Sequence, residues 1–200
     1  ELNSRAYTPK KMMIEIAQSF NYDKESPWSN NIKMLGSKTN GIISLSAFVK
    51  PLLEITYPEK DYYLIRNELM INEKEFPTFS DFNYKAERYL FWELYKRKDV
   101  NSTYKILFNY FKSLKVILDK DWLNNKSLLN KTTGYNAMIK LFKDVSRNGF
   151  ENGDLSYEFF FQKLKPLSEM NGTISSENYG ASGFKASNEL YYEMKKTLAN

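Results

Sequence analysis

From Asn101 or Ser102 to Leu118, apolar side chains return every three or four residues, at Tyr104, Leu107, Phe108, Phe111, Leu114 and Leu118. That is the period of one helix face and is incompatible with strand alternation. A stripe this long is stable only when buried against other elements, so the chain must assemble helices around it. The same spacing recurs after Thr8 and Pro9, a capping residue and a first-turn proline, with Met13, Ile16, Ala17 and Phe20 on one face up to about Asn21.

Further helices follow from the same reading. Ser44 or Ser46 caps a segment carrying Phe48, Leu52, Leu53 and Thr56, where Pro51 is tolerable only in the first turn. Residues 61–71 form another, and Ser80 or Asp81 opens one that runs through Leu94 and ends on Lys96, Arg97 and Lys98, which suit the negative end of a helix dipole. Thr132 or Thr133 caps a helix with Met138, Leu141, Phe142 and Val145 inside, stopped at Asn148-Gly149. Residues 155–164 precede Pro166, and 182–198 carry Ser187, Leu190, Tyr191, Met194 and Leu198 on one side. Residues 41–43 and 63–65 are short enough to be strands. The expected fold is therefore mainly α, one compact domain over residues 1–200 with about seven helices and one or two short strands.

Composition narrows the chemistry. With 42% hydrophobic and 16% aromatic residues the chain can fill a core without staples. It has no Cys and no His, which removes disulfides, thiolate and imidazole metal ligands, and every Ser-His or Cys-His nucleophile arrangement. No catalytic residue, metal site or cofactor is therefore expected within it. No apolar run approaches the roughly 20 residues of a membrane span, and the absence of Cys fits a reducing, cytoplasmic setting. A chain that starts at Glu1 rather than Met is read as a fragment whose upstream part is missing, or as a processed product.

Charge is uneven. Between Lys96 and Arg147 stand twelve basic residues and four acids, a local +8 in a chain of net +5. Lys105 and Lys112 lie two turns apart, opposite the apolar stripe, and Lys140 and Lys143 lie on the next long helix, so the four suit phosphate contacts. Tyr110 falls off the main stripe and suits stacking on a base. The same lysines equally suit solvated helix faces, and the aromatics equally suit the core.

Smaller motifs are more ordinary. Thr132-Thr133-Gly134 at a helix start has weak anion-binding character from its free N–H groups, though N-capping explains it as well. Gly180 to Gly183 suits a close approach between helices. The carboxylate pairs Glu73/Glu75 and Asp119/Asp121 are expected to be solvated at the surface.

Several landmarks, taken in order, resemble the C-terminal part of the DGQHR-domain proteins, a bacterial group that includes a regulator of DNA phosphorothioation. They are Ser26-Pro27-Trp28, Ile32-Lys33, Ile43-Ser44, Phe48-Val49, Asn109-Tyr110-Phe111, Asp121-Trp122, Leu128-Leu129, Lys131-Thr132-Thr133-Gly134 and the Gly180 to Gly183 turn. The Asp-Gly-Gln-His-Arg motif itself is absent, as it must be in a chain without His. The resemblance implies an upstream ParB-like half to which this chain is the helical companion. It also implies association with defence or mobile DNA loci and, for the regulator branch, DNA binding; it transfers no catalytic residue.

Three readings follow. The first is an accessory domain that supports DNA binding through Lys105, Lys112, Lys140, Lys143 and Tyr110, with DNA and the upstream domain as partners. The second is a scaffold that packs on the upstream half or on a partner protein. In the third the full-length protein is an enzyme and this chain lines its site.

Overall fold

In the computed structural model, which describes residues 7–34, 42–58, 89–180 and 183–199, the chain enters α1 (Pro9–Tyr22) at Thr8. The Lys11 N–H donates to Thr8 Oγ1 at 3.2 Å, and Pro9 occupies the first turn, where its missing N–H costs nothing. Met12, Met13, Ile16, Ala17 and Phe20 are all buried, as their spacing requires. Two-residue strands β1 (Ile32–Lys33) and β2 (Ile43–Ser44) pair in parallel. Ser44 then caps α2 (Leu45–Glu54), accepting from the Ala47 N–H.

Pro51 lies in the interior of α2 rather than in its first turn. The sequence expectation is corrected here: a proline that cannot donate to the carbonyl four residues back is carried by the burial of Phe48, Val49 and Leu52 on the same helix.

The short α3 (Trp92–Lys96) leads to Asp99, whose carboxylate accepts from the Ser102 N–H at 3.0 Å and caps α4 (Val100–Ile117). These hydrogen bonds hold the Asp99 carboxyl below its ordinary range. α5 (Asp119–Leu123) and α6 (Thr132–Asn152) follow. The N-cap of α6 is Lys131, not a threonine, and Gly149 does not stop the helix. A Cβ at Gly149 would sit 2.5 Å from the Asp154 carbonyl oxygen, so that glycine allows close packing, while Gly153 at φ 74° ends the helix. α7 (Tyr157–Leu164) runs into a 3₁₀ segment (Lys165–Met170), α8 (Ser176–Tyr179) and α9 (Gly183–Ala199).

Among the described residues there are thus nine α-helices, one 3₁₀ segment and one two-stranded sheet. The expected helix at 61–71, the strand at 63–65, the helix start at Ser80 or Asp81 and the Glu73/Glu75 pair lie outside the described residues. No helix among the described residues is long and apolar enough to cross a membrane.

One core joins these elements. At its centre Trp28 meets Phe48, Phe111, Trp122 and Tyr135 edge-on, with ring centroids 5.3–5.9 Å apart. Edge-to-face contact sets the positive rim of each ring against the negative face of the next, adding to the burial of apolar area. The Tyr135 hydroxyl donates to the Phe48 carbonyl, fastening α6 to α2. Trp28, Phe48, Phe111 and Trp122, four of the aromatic landmarks in the family resemblance, therefore share one framework.

Candidate anion-binding cleft

The packing of α6 on α2 and α9 leaves a cleft of about 420 Å³. On α6, Asn136, Ile139, Lys140 and Lys143 line it, at offsets of three, four and seven that place them along one helix face. α2 contributes Lys50, Pro51, Glu54 and Ile55, and the first turn of α9 contributes Phe184. Three lysines and one glutamate therefore line a single concavity together with Pro51, Ile55, Ile139 and Phe184.

Lys140 is held by two partners on α9. Its Nζ donates to Asn188 Oδ1 at 2.6 Å and stands 4.6 Å from the centroid of the Phe184 ring. Partial burial pushes its pKa below the ordinary lysine value, and the Glu54 carboxylate pulls it back up. Lys143 is half-buried and Lys50 is exposed. Asn136 adds an unusual feature, a side-chain Oδ1 that is shielded from water and has no hydrogen-bond partner.

One turn beyond Lys140, outside the cleft lining, a clasp ties α9 to α6. Lys195 of α9 bridges to Asp144 of α6 at 2.8 Å, and the Tyr191 hydroxyl donates to the same carboxylate at 2.6 Å. Burial alone would raise the Asp144 carboxyl, but these two hydrogen bonds and the charges of Lys195 and Arg147 outweigh it and hold the group low.

The residues singled out from the sequence divide. Lys140 and Lys143 line this cleft, whereas Lys105 and Lys112 do not. Lys112 lies over the Phe108 and Tyr157 rings at 5.6 and 5.8 Å, on the side of α4 that meets α7, and Lys105 is exposed elsewhere on α4. The two helices turn their lysines in different directions because Tyr110 and Phe111 of α4 occupy the side that meets α6.

Tyr110 is corrected from a stacking residue to a core residue. It is fully buried, its hydroxyl donates to the Met138 carbonyl at 2.6 Å, and its ring packs on Phe142 and Phe160. Burial moves its pKa well above the ordinary tyrosine value. The helix is wrapped by partners on more than one side, so a position off the main stripe is still inside.

Thr132 is exposed and Thr133 buried, and the Gly134 N–H is already donated to the Leu128 carbonyl at 3.1 Å. A Cβ at Gly134 would lie 2.3 Å from the carbonyl oxygens of both Leu128 and Leu129. That glycine is required by close backbone approach, which leaves less of the helix start available to an anion than the motif alone implied.

Asp121 is likewise not a solvated surface group. It is buried, accepting from the Ile174 N–H at 3.0 Å, the Ser127 hydroxyl at 3.2 Å and the Gly172 N–H. It sews the segment after the 3₁₀ turn to α5. Asp119 stays exposed, and hydrogen bonds from the Asn171 amide and the Lys120 N–H hold its carboxyl below the usual range.

Lys50 and Phe184 were not singled out from the sequence. Lys50 stands four residues before Glu54 and looks like half of an ordinary surface pair, and Phe184 falls on the buried side of its helix by spacing alone. Only the packing of α2 against α6 shows that both face a cleft. No family model matches this chain, and no match to it is found among curated proteins or solved structures.

Proposed function

We propose that this chain is a non-catalytic nucleic-acid-binding domain and that the cleft between α2, α6 and α9 is where it holds phosphate. The observation that carries the reading is the convergence of Lys50, Lys140 and Lys143 on one concavity beside an exposed aromatic ring. Lysines of that kind neutralise backbone phosphates and release counterions, which gives binding that weakens steeply with salt. Affiliation with the DGQHR-domain proteins, and with it a role for a longer protein in DNA regulation or defence, is part of the same proposal and rests on the sequence landmarks alone.

The test is a salt series of binding isotherms with labelled DNA. Removing one lysine–phosphate pairing on a duplex lowers the slope of log K against log salt by about 0.9. Lys50→Glu combined with Lys143→Gln is expected to weaken binding and flatten the slope by about twice that amount, whereas Lys105→Glu combined with Lys112→Glu changes it less. Equal effects from both pairs would return the reading to a diffuse basic surface, and no effect from either would remove it.

A scaffold role is the second reading, favoured by the exposure of Phe184 and Tyr192 on α9. Pull-down of a protein partner that survives loss of the cleft lysines and fails on Tyr192→Ser would support it.

A further inference from the structure

We infer that the nucleic acid held in this cleft is single-stranded and that Phe184 stacks on one of its bases; this rests on the phosphate-binding reading above. Phe184 is 78% exposed, although it sits in the first turn of a 17-residue helix whose Ala186, Leu190 and Met194 are buried. Its ring therefore stands open to solvent at the rim of the cleft. Lys140 lies against the ring and is itself held by Asn188, one turn further along α9, so ring and ammonium are fixed relative to each other. Most of the ring surface remains open for a second planar partner.

An aromatic platform beside cations is the arrangement that grips a single strand: the backbone follows the charges while a base lies on the ring. A duplex offers no base face without unstacking. Scale agrees, since about 420 Å³ is the volume of a small-molecule pocket and holds a nucleotide rather than the flank of a double helix.

The test uses oligo-dT and oligo-rU of about 12 nucleotides, within the range of single-strand site sizes, against a duplex of equal length, with fluorescence anisotropy as the readout. The wild-type chain is expected to bind both single strands more tightly than the duplex. Phe184→Ala is expected to lose about 5- to 150-fold in single-strand affinity with its salt slope unchanged, because stacking carries no charge. Phe184→Trp restores binding and Phe184→Leu does not. Since Phe184 is exposed, thermal unfolding of these variants should match the wild type. Unchanged binding by Phe184→Ala, rescue by Leu, or a preference for duplex would each overturn the inference while leaving a lysine-dependent phosphate site standing. Loss of lysine dependence would instead remove the reading beneath it.

Discussion

The Lys140 ammonium donates to Asn188 Oδ1 at 2.6 Å, tying α6 to α9 at the cleft. A neutral acceptor positions a cation without cancelling its charge. Asn188→Asp would convert this to a charge-assisted pair that competes with phosphate. Polyanion affinity is expected to fall about tenfold or more in Asn188→Asp, a loss of at least about 1.4 kcal/mol, and by less in Asn188→Ala, measured by calorimetry at fixed salt.

Asp121 tests the framework rather than the site. Its carboxylate accepts three hydrogen bonds in a buried position. Asp121→Ala should strand their donors and destabilise the fold by about 3–5 kcal/mol, with Asp121→Asn intermediate, as read by urea unfolding.

Acid stability follows from Asp144. Because its carboxyl is held low in the folded chain, the clasp's contribution is fully present above the ordinary carboxylate pKa. It is lost as pH falls from there through the folded value. Asp144→Asn should therefore be less stable than the wild type near neutral pH, and the gap should narrow under acid, measured by unfolding at a series of pH values. A gap independent of pH would contradict the assignment.

Tyr110 separates the two roles it was open to. Tyr110→Phe removes one buried hydrogen bond to Met138 and is expected to cost about 1 kcal/mol, or somewhat more for the stranded carbonyl, with nucleic-acid binding unchanged. A selective loss of binding without loss of stability would restore the stacking role.

Local chemistry was readable in the sequence wherever one element settles it. Thr8, Pro9 and the Met13 to Phe20 face define α1 without help from the rest of the chain, and the stripe from Tyr104 to Leu118 defines α4. Reading failed where a second element decides. Tyr110 is buried because α6 and α7 both cover it, Pro51 is carried inside a helix by its packed neighbours, and Asp121 is drawn inward by donors some fifty residues away. The site was legible by half: Asn136, Lys140 and Lys143 share a helix face, while Lys50 and Phe184 join them only through tertiary packing.

The most direct measurement is a nuclear magnetic resonance titration of the isotope-labelled chain with a short single-stranded oligonucleotide, following the lysine ammonium and backbone amide signals. Shifts that gather on Lys50, Asn136, Lys140, Lys143 and Phe184, and fade as salt is raised, are the predicted result. Shifts centred on Lys105 and Lys112, or none at any salt concentration, would contradict the cleft as the place where phosphate is held.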